Sequence, residues 1–215
     1  MLVDSHCHIP LVTQDQPPDA VDRVLSEARE QDVGHMLCVS VDIESFPGVL
    51  GLARRYDNVS ASFGIHPNSE LAAEPEVDAL LAYARDEAVI AIGETGLDYY
   101  RSSGDLEWQR ERFRRHIACA RACGKPLIIH SRDAKADVLA LLEQEKANEV
   151  GGIMHCFVDD YETAVKAISL GFLISFSGIV TFKNAADLQD VARRLPLDAI
   201  LVETDYLGHD FVDYF

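Results

Sequence analysis

Leu127-Ile128-Ile129-His130, running on into Ser131-Arg132, is a short apolar run that ends in an imidazole. The pattern returns in Ile153-Met154-His155. Ile90-Ala91-Ile92-Gly93-Glu94 ends instead in a carboxylate, and so does Leu201-Val202-Glu203-Thr204-Asp205. Near the start, Leu2-Val3 leads into Asp4-Ser5-His6-Cys7-His8. Short apolar runs of this kind read as parallel strands covered on both faces. Eight of them lie near 1–7, 35–41, 59–65, 88–94, 126–130, 151–156, 172–177 and 198–205.

Helical spacing fills most of the gaps. Val21, Val24, Leu25 and Ala28 share one face after Pro17-Pro18, and Val77, Leu80, Leu81 and Ala84 share another after Pro75. Leu106, Gln109, Phe113, Ile117 and Ala120 step by three or four, and further helices read at about 134–146, 160–170 and 185–195. Alternating strands and helices argue for βα units wound in one direction. Eight in series predict a (β/α)8 TIM-like barrel, with a doubly wound open sheet as the alternative. The polar residues decide between them. Ionisable groups at the ends of buried strands need something to offset their desolvation, and in a barrel those ends meet at one rim.

His6 and His8 project to one side of a strand while Cys7 points to the other. Together with His130, His155, Glu94 and Asp205 they offer four imidazoles and two carboxylates. Such a set can hold two divalent cations, with one carboxylate bridging. Strict alternation also places Asp4 and Glu203 inward, one layer below His8 and Asp205. There either acid could orient an imidazole or plug the barrel floor. Cys7 and Cys156 are expected in outer packing. His35, His116 and His209 have no matching context.

Composition bounds the rest. The 215 residues, 48% hydrophobic and 26% charged, suit one core rather than two domains or a disordered chain. No stretch approaches a membrane span, and the opening residues carry no basic leader, so a cytoplasmic protein is expected. Five scattered cysteines argue against a disulfide framework. The net charge of −17 opposes general nucleic-acid binding, yet residues 101–132 carry eight Lys or Arg against three acids. That stretch reads as a solvated helix face from composition alone. Trp108 and Tyr99-Tyr100 suit packing under a loop, with stacking on an unpaired base as the second use.

The strings DSHCH (4–8), GIHP (64–67), GETGLDYY (93–100), KPLIIHSRDA (125–134), HCF (155–157) and LVETD (201–205) resemble those of TatD-type metal-dependent hydrolases, within the amidohydrolase-like barrels. The resemblance runs in order from residue 1 to about 205. It implies a two-metal nuclease, acting 3′-to-5′ on DNA or related nucleic acid with single-stranded ends. On that resemblance His6, His8 and Asp205 hold one cation, His130 and His155 the second, and Glu94 bridges. Asp205 doubles as general base, and His66 and Arg132 face substrate phosphate. Zinc, manganese, nickel or iron would suit the donors, magnesium less comfortably. A deacylase using the same centre, or a shortened barrel that only binds metal, are the rival readings.

The sequence departs from the family in places. Ile9-Pro10 follows the paired histidines where Leu-Asp is usual, and Asn68 stands where a second histidine commonly follows GIHP. After Asp205 the chain reads Tyr206-Leu207-Gly208-His209 and stops at Phe215, without the family's Ala-Pro-Tyr-Leu and last helix. Residues 1–215 therefore read as a single barrel domain shortened after about residue 205 and lacking its eighth covering helix. An apolar strip of Ile200, Val202 and Thr204 beside Val3, Ser5 and Cys7 would be left for the C-terminal residues, or for self-association, to shield.

Overall fold

Residues 1–205 are described by the computed structural model; the expectations for the last ten residues, His209 and the shielding segment included, lie outside them. The apolar runs form eight parallel strands: β1 (Leu2–Cys7), β2 (Val33–Cys38), β3 (Val59–Phe63), β4 (Val89–Asp98), β5 (Leu127–Arg132), β6 (Gly152–Met154), β7 (Phe172–Phe176) and β8 (Ile200–Val202). They pair side by side in chain order, as a nearly closed TIM-like barrel. Around them run α1 (Ile9–Thr13), α2 (Ala20–Glu30), α3 (Phe46–Arg55), α4 (Val77–Ala84), α5 (Glu107–Cys123), α6 (Lys135–Gln144), α7 (Tyr161–Ser169) and α8 (Ala186–Arg194).

Two apolar layers follow from strand alternation. Leu37, Val39, Ala91 and Ile128 form a small cluster inside the barrel. Their neighbours Cys38, Ile92, Leu127 and Ile129 belong to the larger cluster shared with helix residues such as Phe113, Ile117 and Leu142. Ile128 points inward, so His130 two residues on does too. The helices follow the predicted spacing, except that α1 and α3 carry no strong sequence signal. Gly48 and Gly51 lower the intrinsic helix propensity of α3, which burial of Phe46 and Val49 against β3 overcomes, while Pro47 sits in the first turn where it is tolerated.

Strict alternation fails in β1. The register to β2 shifts between Asp4↔Met36 and Cys7↔Cys38, the mark of a bulge. Ser5 accordingly turns inward, where its Oγ lies 2.9 Å from Ser175 Oγ on β7. Asp4, expected inward, turns outward and shares a cleft with Val24 and Ala28 of α2. It has a different task there. Among the described residues no ladder joins β8 to β1. The seam is closed by Asp205 N–H donating to His6 O (3.0 Å), Ser5 Oγ donating to Val202 O (3.1 Å), and the Asp4 carboxylate accepting from Thr204 N (3.1 Å) and Thr204 Oγ1 (2.7 Å). Leu2, Val3 and Val202 beside this seam are each about half exposed, whereas Ser5 and Cys7 are buried and drop out of the expected strip.

β4 runs further than its apolar run. It continues past Glu94 to Asp98, paired with β5 as far as Asp98↔Arg132. Gly96 permits this, since a Cβ there would stand 2.0 Å from His130 O. Asp98, four residues beyond the apolar run that ends at Glu94, is thus the last residue of a strand.

Candidate metal centre

The C-terminal ends of β1, β3, β4, β5, β6 and β8 and the residues just after them bring five histidines and two carboxylates into one buried cluster. Glu94 stands at its middle, 1% exposed, with its two oxygens facing opposite ways. Glu94 Oε2 lies 3.5 Å from His6 Nε2 and 3.9 Å from His8 Nε2, and those two nitrogens are 3.0 Å apart. Glu94 Oε1 lies 3.0 Å from His130 Nδ1, 3.3 Å from His155 Nε2 and 3.5 Å from His66 Nε2. Asp205 Oδ1 is 3.9 Å from the Nε2 atoms of His6, His8 and His155. Two donors bound tetrahedrally to one ion at ~2.0–2.1 Å stand roughly 3.3 Å apart, so these spacings fit shared coordination.

The far ring nitrogens fix which way the lone pairs point. His8 Nδ1 donates to Val39 O (3.1 Å), His155 Nδ1 to Glu203 Oε1 (2.9 Å), and His130 Nε2 to Asp98 Oδ2 (3.2 Å). Once a ring gives up its second proton to a cation, its other nitrogen offers a lone pair on the Glu94 side. Glu203 also accepts from Cys156 N, so it is held while it holds His155. His66 is the reverse case. Its Nδ1 accepts from Asn68 N (3.1 Å), which leaves the proton on Nε2, and its side chain, at 18% exposed, is the most open of the five. Burial pushes its pKa down to about 3 against the pull of Glu94, so the ring is neutral near pH 7.

Charge in the cluster is badly balanced without cations. Burial disfavours ionised Glu94, but His155, His66 and His130 outweigh it and hold its pKa well below the carboxylate range. Burial likewise opposes charge on His155, and Glu203, Asp205 and Glu94 overcome it to raise its pKa well above the usual histidine value. His8, desolvated and beside His6, is lowered to about 4. Meanwhile Glu94 Oε2, Glu203 Oε2 and Asp205 Oδ1 are buried with no hydrogen-bond partner. Orphaned carboxylate oxygens at such depth are costly unless a cation meets them. The residues present therefore fit divalent metal.

All eight residues singled out from the sequence converge on this rim. Arg132 ends β5, with its guanidinium 3.9 Å over the Tyr100 ring. Cys7 faces the helices as expected, but Cys156 does not lie in outer packing. The chain leaves β6 at Met154 and turns through a left-handed φ of 43° at Cys156. That turn sets its Sγ 3.2 Å from Ser177 Oγ and within 4.8 Å of carboxylate oxygens of Glu203 and Asp205. The hold of Asp98 on His130 went unread in the sequence. The signal was present, because Glu94, Gly96 and Asp98 alternate onto one face of an extended strand. Asp98 also accepts from Tyr100 N (3.1 Å), Arg101 N (2.9 Å) and Asn68 Nδ2 (2.8 Å), so it shapes the turn as well.

Comparison with known proteins agrees with this geometry. The TatD related DNase family model matches residues 3–211. The chain is 46% identical over 205 residues to the uncharacterized metal-dependent hydrolase YcfH of Escherichia coli K12, which covers 95% of this chain and 77% of YcfH. Against YabD of Bacillus subtilis 168, likewise named an uncharacterized metal-dependent hydrolase, identity is 36% over 206 residues, covering 95% and 80%. The crystal structure of YjjV, a TatD homolog from Escherichia coli K12, matches with a TM-score of 0.81 at 29% identity, covering 95% of this chain and 78% of that one. A TatD family hydrolase from Entamoeba histolytica reaches 0.82 at 24% identity over 95% and 73%, which bears on the fold alone. A donor-lined barrel rim and a family match along nearly the whole chain lead to one conclusion: this chain belongs to the TatD related DNase family, as a metal-dependent hydrolase.

Proposed function

We propose that this chain hydrolyses phosphodiester bonds at single-stranded DNA ends, in the 3′-to-5′ direction, with two divalent cations. The observation that carries the reading is the division of Glu94 between His6 and His8 on one oxygen and His130 and His155 on the other. His6, His8 and Asp205 would hold one ion, His130 and His155 the other, and Glu94 both. Imidazole with carboxylate suits zinc, manganese, nickel or iron, and magnesium less well. When bound, such a pair lowers the pKa of a nearby water and offsets negative charge on a phosphate.

The chain's own groups do the rest. Asp205, with Oδ1 buried and unpaired, accepts the proton of the attacking water. His66, the most open of the five rings, carries its Nε2–H beside His130 Nδ1 (3.3 Å) and Glu94 Oε1 (3.5 Å), the polarity a phosphate oxygen needs and a cation does not. The planar fork of Arg132, stacked on Tyr100, suits the non-bridging oxygens. The family's description as a DNase favours a phosphodiester over an amide. The five cysteines are free thiols, which suits a reducing cytoplasm, and no helix of the described residues is long and apolar enough to cross a membrane.

The test is a single-stranded oligonucleotide labelled at its 5′ end and incubated with each metal in turn. Stepwise shortening from the 3′ end, abolished by chelator and by Glu94→Gln, is expected. Turnover of N-acylated amino acids with the strand left intact would overturn the reading.

A further inference from the structure

A cleft of about 560 Å³ opens beside the cluster, between the loop after β3 and the start of α5. Asn68, Glu70, Leu71, Arg101, Trp108 and Arg112 are among its walls. We infer that this cleft receives the base of the substrate's terminal nucleotide, stacked on Trp108. The inference rests on the nucleic-acid reading above and names the part of the substrate that reading leaves unplaced.

Three observations carry it. First, the cleft is tied to the phosphate side of the centre. Asn68 lies two residues past His66, and its Nδ2 donates to the same Asp98 Oδ2 that holds His130 (2.8 and 3.2 Å). A nucleotide whose phosphate meets His66 has this cleft next to its sugar. Second, Trp108 is 41% exposed although it begins a helix whose other face is core. It is also held by a neighbour. The Arg112 guanidinium sits 5.0 Å from the indole ring centroid, itself 3% exposed and fixed by Glu74, His66 O (2.8 Å) and Ser69 O (2.9 Å). An aromatic side chain braced by a fixed cation loses little freedom when a base stacks on it. Third, the charge suits a base rather than another phosphate. Glu70 and Glu74 balance Arg101 and Arg112 in the wall, which therefore carries no net charge. A π-face among balanced charges offers a second phosphate no net attraction but accepts any base. The volume falls within the ~300–1,000 Å³ usual for small-molecule sites.

Trp108 is the only tryptophan in the chain, so its emission reports on this cleft alone. Deoxyadenosine 5′-monophosphate added to the metal-loaded protein should quench that emission saturably, and deoxyribose 5-phosphate should not. Trp108→Ala should raise KM for a ten-nucleotide strand about tenfold with kcat within about twofold, and Trp108→Phe should recover most of the loss. Emission that ignores the nucleotide, or that responds equally to the base-free sugar phosphate, overturns the inference, as does an unchanged KM in Trp108→Ala. If no strand is cut at all, the nuclease reading fails, and the emission titration still decides what the cleft binds.

Discussion

The two halves of the metal centre stand on unequal foundations. Glu94 and His130 come from β4 and β5, which stay paired out to Asp98↔Arg132 and are buried on both faces. His6, His8 and Asp205 come from the β1–β8 seam, where the ladder is replaced by one Asp205–His6 backbone bond, the Ser5 hydroxyl and the Asp4 carboxylate. The first half is positioned by the sheet itself. The second is positioned by side chains that bridge a gap in it. Donor chemistry is similar on both sides, so cation retention is expected to depend on strand pairing as much as on ligand identity.

The comparison predicts an ordered set of effects. Glu94 serves both halves, and Glu94→Gln should lower turnover by at least about 10²–10³-fold and reduce bound metal at both positions, read by elemental analysis beside kinetics. Asp4→Ala should act on the seam alone. It leaves the buried His6 amide without its carboxylate partner (3.2 Å) and releases the exposed Thr204 amide and hydroxyl to water, at a cost of about 1–3 kcal/mol in denaturant titrations. Bound metal should fall from two equivalents toward one. A variant that keeps both equivalents would show that the seam does not need its carboxylate strap.

Asp98→Asn and Glu203→Gln probe the other side, where each carboxylate orients one histidine. Each should weaken the ion near His130 and His155 by about 10–100-fold in competition with a chelator, leaving the His6 and His8 position intact. The effect most remote from the metal centre concerns His116, fully buried on α5, which accepts from Ile65 N (3.2 Å) and donates to Arg112 O (2.8 Å). Burial lowers its pKa to about 4. The unfolded chain, near 6.5, then takes up the proton first, so stability is lost as pH falls from about 6.5 toward 4 and is unaffected above it. That amounts to about 2 kcal/mol between pH 7 and 5, and His116→Gln should flatten that part of the stability–pH curve.

Much of this architecture was legible in the sequence because buried parallel strands are short apolar runs, and ionisable residues at their ends stand out. Leu127-Ile128-Ile129-His130 gave both a strand and the facing of its imidazole. Other features depend on pairing, which one strand's sequence does not encode. The bulge in β1 reverses Asp4 and Ser5, and nothing in Asp4-Ser5-His6 signals the register of β2. The length of β4 was hidden because its apolar run stops at Glu94, while Gly93 and Gly96 allow the close strand approach that carries it on. Helix α3 was hidden by its glycines, because packing on β3 rather than propensity forms it. Which nitrogen of His66 carries the proton turns on a backbone amide two residues away, a contact only the folded loop provides.

On the proposed reading Glu94 separates two cation positions, with one oxygen toward each. Anomalous diffraction from manganese-soaked crystals, collected at the manganese edge, would locate them. Two peaks flanking the Glu94 carboxylate are expected, one against His6 and His8 and one against His130 and His155. A single peak, or a pair that leaves Glu94 uncoordinated, would contradict that reading.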